Sequence, residues 1–315
     1  MLFLDGYGPG EGEKLLQALK TKSPTFIALE KEPYLPLFSR AMKGWRRHAP
    51  KRSRLPMIEC HCFAICGRLM RNGYHEMALM NATQFSTYLR TGATLMLHPG
   101  DVIAPGPHGV AGNGHYVLAS APEERGAPTK TGTYDETVIL DDCRAPYLGA
   151  LLKELAESRR GRRIEEGADE LLWSFEGPEF LVQWRKAVAE LGLGDFCETP
   201  YQNRHGGPSR DLQLKLRSQR DVQDRGHWAA STSAKIYSKP GRVQDILNKT
   251  SAEIVKYGEN IRENFERYYR SGICLEPPAA VKGVRSGGSK ASGSRFTAEK
   301  ARSRKPFVEG ALRLH

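Results

Sequence analysis

Long apolar runs are missing from this chain. The longest uncharged ones, such as Phe63 to Cys66 and Met77 to Met80, fall far short of the roughly 18 residues that span a bilayer. A soluble protein is expected. No secretory leader is recognisable, because Met1-Leu2-Phe3-Leu4 meets Asp5 at once, without a basic stretch or a small-residue cleavage site. Cysteine is scarce, with six in 315 residues. Three of them crowd at Cys60, Cys62 and Cys66, which gives no disulfide framework and suits a reducing, intracellular compartment. Internal repeats and acidic clusters at metal-ligand spacing are absent as well.

What the chain does have is apolar material for a core and a surplus of positive charge. Hydrophobic residues make up 39% and aromatics 9%, which excludes whole-chain disorder. Lys plus Arg number 47 against 36 Asp plus Glu, a formal net charge of +11. That balance fits an acidic partner, nucleic acid first among them. Nine basic against three acidic residues lie between Glu276 and His315, a Gly/Ser/Ala-rich stretch expected to be a disordered tail. More than half of the surplus therefore resides where it adds nonspecific phosphate affinity and no chemistry.

Periodicity organises the rest. The glycines Gly6, Gly8, Gly10 and Gly12 read as a flexible lead rather than a phosphate loop, since Lys14 follows Glu13 and no apolar strand precedes them. Leu35, Phe38, Met42 and Trp45 predict a helix from Pro33 to His48. Ile58 to Arg71 and Glu76 to Leu89 predict a packed helical pair around the Asn72-Gly73 turn. Tyr116 to Ala119 and Thr137 to Leu140 read as strands of a hairpin or small sheet. Helices are expected at Tyr147 to Glu157, at Pro178 to Leu191 and, with an apolar stripe of Ile254, Tyr257, Ile261, Phe265 and Tyr268, at Ser251 to Arg270. The fold class is α+β, mainly helical, with a small antiparallel hairpin or sheet. The expected domains are a short helical segment over 1–54, a catalytic-type domain over 55–250, an amphipathic helix over 251–275 and the basic tail over 276–315.

Residues with chemical potential follow an order. Tyr88-Leu89-Arg90-Thr91-Gly92 closes a predicted helix, Pro128-Thr129-Lys130-Thr131-Gly132 lies in the hairpin loop, and Tyr201-Gln202-Asn203-Arg204-His205-Gly206-Gly207 opens a polar region. Gly226-His227-Trp228 follows, with Ile236-Tyr237 beyond it. Read singly, Arg90 is a helix-end arginine, Lys130 a surface lysine, His205 a structural histidine and Tyr237 a packing residue. The ordered set, over roughly residues 55 to 250, resembles the catalytic domain of the tyrosine recombinase (phage integrase) superfamily.

The resemblance implies strand cleavage by Tyr237, forming a 3′-phosphotyrosyl link that a 5′-hydroxyl reverses. The transition state carries extra negative charge on the non-bridging oxygens, and two guanidinium groups suit it, here Arg90 and Arg204. Lys130 takes the role of proton donor to the departing 5′-oxygen. Trp228 matches a position filled by His or Trp, with His227 and His205 as second choices. Neither metal nor cofactor is implied. Duplex DNA is the implied partner, as is a tetramer on DNA formed through the helix from Ser251 to Arg270; packing of that helix on its own domain is the equal alternative. The implied location is the nucleus in a eukaryote and the cytoplasm or nucleoid in a bacterium. Two positions depart from the family pattern. Tyr201 stands where His is usual, and a phenol is a far weaker base near pH 7 than imidazole; Ala93 stands where Glu commonly buttresses the first arginine. A DNA-binding module without catalysis and a type IB topoisomerase-like enzyme therefore remain alternatives. Cys60-His61-Cys62 with Cys66 lacks a second ligand pair and reads as buried free thiols, His98, His108 and His115 as loop residues, and Asp141-Asp142 as a strand end or helix cap.

Overall fold

The computed structural model describes residues 2–22, 36–49, 54–106, 114–126, 132, 134–160, 170–229 and 239–278. Lys130, Tyr237, His108, residues 33–35 of the helix expected from Pro33 to His48, and the tail from residue 279 lie outside them. The chain divides into two units, Met1–Ser53 with Val284–His315, and Arg54–Gly283. In the first, α1 (Pro9–Lys22) packs on α2 (Pro36–His48). Gly12 makes the approach close, since a Cβ there would lie 2.6 Å from the Trp45 ring. Arg46 pairs with Glu13 at 3.0 Å across the same contact.

The second unit is assembled around a helix that is apolar on every side. Ten residues of α3 (Glu59–Arg71) are buried, from Cys60 to Met70, so α3 must be surrounded. On one side lies α4 (His75–Thr87), reached through the predicted Asn72-Gly73 turn, where Gly73 takes a left-handed φ of +86°. Against another lies α11 (Ala252–Glu263), whose Gly258 touches the backbone so closely that a Cβ would stand 2.0 Å from the Cys60 carbonyl oxygen. The thiols of Cys60, Cys62 and Cys66 are buried and free, as the sequence predicts.

Between these come α5 (Thr91–Leu95) and a three-stranded antiparallel sheet in the order β1 (Val102–Ile103), β2 (Tyr116–Ser120), β3 (Glu136–Leu140). Leu118, Val138 and Leu140 face the core. Strand β1 was not expected; at two residues it is too short for alternation to register. The chain continues through α6 (Leu148–Arg160), α7 (Gly177–Glu190), α8 (Asn203–Gln213), α9 (Gln219–Arg225) and α10 (Pro240–Lys249).

The helix expected from Ser251 to Arg270 is two helices, α11 and α12 (Phe265–Ser271). They break at Asn264, with φ −110° and ψ 17°. Its side-chain amide donates to the Asn260 carbonyl, 3.0 Å away, in competition with the helical ladder. The five stripe residues Ile254, Tyr257, Ile261, Phe265 and Tyr268 are buried in this unit's own core. The stripe is therefore packed within this unit of the single chain. No helix among the described residues is long and apolar enough to cross a membrane.

Candidate functional site

The site is built around the start of α8, which sequence alone leaves ambiguous between a glycine turn and a helix. Thr199 caps a 3₁₀ turn over Pro200–Gln202. Gln202 locks that turn: its amide donates to the carbonyls of Leu55 (3.2 Å) and Phe196 (2.8 Å). Asn203 then donates to Asn81 Oδ1 at 2.8 Å. Asn81 is a buried hub that also accepts from Trp184 Nε1 at 3.1 Å and donates to the Cys62 carbonyl at 3.2 Å. Gly206 and Gly207 let α8 press on its neighbours, because a Cβ on either would lie 2.0 Å from the carbonyl oxygen of Met57 or Phe85. The Gly-Gly pair is thus a helix-packing device.

Arg204 is held at this wedge. Its Nη1 donates to the Tyr88 carbonyl, its Nη2 to the Gly226 carbonyl at 2.9 Å, and its guanidinium lies 5.1 Å over the Trp228 ring. Tyr88 ends α4 in a left-handed conformation, φ 60°. The Tyr88 ring stacks on Trp228, with centroids 6.4 Å apart and planes 3° from parallel, its hydroxyl donates to Asp211, and the Arg225 guanidinium sits 5.4 Å over it. Burial first and the Asp211 charge second push the Tyr88 phenol well above its ordinary range, so it stays protonated and donating.

Two residues past Tyr88, Arg90 is the N-cap of α5 rather than the end of a long helix. Among the described residues no carboxylate pairs with it. His227 adopts a left-handed φ of 49°, and its buried Nε2 has no hydrogen-bond partner among the described residues. Burial lowers its pKa, and the charges of Arg204, Arg90 and Arg225 lower it further against the opposing charge of Glu136. The structure thus brings Arg204, Trp228 and Tyr88 into direct contact and places His227 in the field of both Arg90 and Arg204. Tyr201 packs edge to face on His205, with centroids 5.6 Å apart. Burial, then the charges of Lys239, Arg54 and Arg204, bring His205 down to about 4, so it is neutral near pH 7. Lys130 and Tyr237 have no described position.

Sequence reasoning missed the charge lattice beneath this group. Arg210, on α8, pairs with Glu59 (2.8 Å), Asp142 (2.9 Å) and Asp211 (2.6 Å), all buried or nearly so. Arg217 bridges Asp211 (3.0 Å) and Asp141 (2.6 Å), and Arg225 reaches Asp141 at 2.9 Å. Arg144 and Arg262 close on Glu59 from the far side. The Asp141-Asp142 pair at the end of β3 hinted at this, yet its partners lie 68 to 84 positions away and no local pattern names them. The lattice ties β3, α3, α8 and α9 into one frame under Arg204.

Acid should loosen that frame. Burial works to raise the carboxyls of Glu59, Asp141 and Asp142, but the bonds and charges of Arg144, Arg210, Arg217 and Arg225 outweigh it and hold all three below their ordinary values of 4.5 and 3.8. Burial takes His61 from 6.5 to about 3. A group whose folded pKa is depressed contributes stability above its unfolded pKa and loses it as pH falls. Melting temperature is therefore expected to decline from pH 6.5 downward as His61 and His205 resist protonation, and more steeply below 4.5. A melting temperature that rises between pH 6.5 and 4 would contradict this account.

No group of three or more His, Cys, Asp or Glu among the described residues is arranged to hold a metal ion; His61 Nε2 instead lies 2.8 Å from Thr250 Oγ1. No protein-family model and no curated protein matches the chain. Two crystal structures similar to it are those of the XerH site-specific recombinase. The one bound to difH substrate in a pre-cleavage complex is 18% identical, with a TM-score of 0.42 over 62% of this chain and 54% of that one. The one bound to palindromic difH substrate in a post-cleavage complex is 17% identical, with a TM-score of 0.45 over 65% and 56%. The chain thus spans little more than half the length of those proteins.

Proposed function

We propose that this protein breaks and rejoins duplex DNA through a covalent phosphotyrosyl intermediate on Tyr237. The Tyr237 oxygen attacks the scissile phosphorus, the bond from phosphorus to the 5′-oxygen breaks, and the leaving oxygen takes a proton from Lys130. The phenolic proton passes to solvent water as attack proceeds, its loss favoured by the positive charge of Arg90 and Arg204. Those two guanidinium groups grip the non-bridging oxygens while Trp228 supports the phosphate, and a 5′-hydroxyl attacking the phosphotyrosine restores a phosphodiester.

The observation that supports this reading most is the mounting of Arg204. Two backbone carbonyls and an indole face fix its plane, and Arg90, unpaired with carboxylate among the described residues, shares its field on His227. A fixed guanidinium is preorganised for a planar, bidentate anion. The second reading, a DNA-binding protein that does not cleave, is favoured by the phenol of Tyr201 where a base would be useful.

Incubation with a nicked suicide duplex is expected to give a protein–DNA adduct stable to denaturant, and Tyr237→Phe should abolish it. An adduct that persists in Tyr237→Phe overturns the assignment of the nucleophile. Salt-sensitive duplex binding without any adduct selects the second reading, and relaxation of supercoiled plasmid without a specific site selects a topoisomerase-like enzyme.

A further inference from the structure

We propose that Arg54 and Lys239, together with the phenol of Tyr201, form a phosphate-binding subsite for the backbone of duplex DNA beside Arg204. The proposal rests on the reading of the protein as a DNA strand transferase and adds a contact to it. The Arg54 guanidinium lies 4.7 Å over the Tyr201 ring, and Lys239 Nζ donates to the Arg54 carbonyl at 2.8 Å. A guanidinium stacked on an aromatic face keeps its N–H edge open to an anion, whereas one paired with carboxylate has its charge balanced and that edge occupied.

That distinction separates Arg54 from its surroundings. Arg144, Arg210, Arg217, Arg225 and Arg262 are all tied to carboxylates. No carboxylate among the described residues lies within ion-pair distance of Arg54, which is exposed. Lys239, partly exposed, has its pKa lowered by burial and then by the charge of Arg242. The charges of Lys239, Arg54 and Arg204 all act on His205, after burial, to lower its pKa. Like charges gathered around a half-buried phenol and a neutral imidazole repel one another. A polyanion relieves that repulsion, and a duplex whose scissile phosphate sits at Arg204 carries further phosphates on either side of it.

The test measures binding of the full-length protein to a fluorescently labelled duplex of arbitrary sequence over 50 to 300 mM salt. Each phosphate contact removed lowers the slope of log affinity against log salt by about 0.9. Arg54→Gln and Lys239→Gln are each expected to lower it by about that amount, and the double variant by about 1.8. Arg54→Lys, which keeps the charge, should retain most of the slope. The exposed Arg185→Gln on α7 serves as the comparison and should leave the slope as it is, with thermal melting establishing that every variant is folded. Unchanged slopes in Arg54→Gln and Lys239→Gln overturn the subsite, and if the wild type still forms the Tyr237 adduct, strand transfer survives without it. Reduced slopes with no wild-type adduct leave the subsite standing and remove the catalytic reading. A wild type that binds no duplex at the lowest salt overturns both.

Discussion

Arg204→Lys is expected to slow formation of the phosphotyrosyl adduct at least ~1,000-fold in single turnover on a suicide duplex, equivalent to about 4 kcal/mol of transition-state stabilisation. The reason is geometric. Arg204 spends two N–H groups on the carbonyls of Tyr88 and Gly226 and its face on Trp228, so its plane is fixed before substrate arrives. Lysine carries the same charge as a point on a flexible stem, satisfies one carbonyl at most, and cannot stack. Duplex affinity, a sum over many phosphates, should change far less than the cleavage rate. Near-wild-type cleavage by the folded lysine variant would mean that charge alone suffices and that the mounting is incidental. Folding must be checked by melting, because at least one of the two carbonyls loses its donor in the variant.

The second large effect concerns stability. Arg210→Met should destabilise the unit by about 3–5 kcal/mol, since it strips partners from Glu59, Asp142 and Asp211 and leaves buried charge uncompensated. For a unit of this size that corresponds to a fall in Tm of roughly 10 °C. Burial acts to lower the Arg210 pKa, and the charges of Asp142, Asp211 and Glu59 outweigh it and raise it. Pairing the change with Glu59→Gln should recover part of the loss, because one orphaned charge is then removed. The exposed pair Arg270 and Glu154, 2.6 Å apart, is the comparison. Arg270→Met should shift the melting curve little, solvent and salt having already screened that interaction. If both arginine variants melt alike, the lattice around Arg210 is not the frame described above.

How much of this was legible beforehand differs by element. The helical pair α3 and α4 was readable because their apolar residues recur at helical spacing and Asn72-Gly73 punctuates them. Strands β2 and β3 were readable as short apolar runs on either side of a polar loop. Helix α8 did not: Gly206, Gly207 and Pro208 oppose helix formation locally, and burial of the glycines against Met57 and Phe85 overrides that preference. The break at Asn264 was equally hidden, since the stripe of apolar residues continues through it.

For the candidate site, the identity and order of Arg90, Tyr201, Arg204, His227 and Trp228 were present in the sequence, as was the chemistry that arginines and a tyrosine perform on phosphate. So were the substitutions at Tyr201 and Ala93. Local order could not say what each side chain touches. That Arg204 rests on the Tyr88 carbonyl and the Trp228 ring, that Arg54 covers Tyr201, and that Glu59 meets Arg210 from 151 positions away are outcomes of packing. Residue type and spacing report on forces within a few turns of chain. The pairing of buried charges is fixed only when burial brings distant segments together and makes every unpaired charge costly.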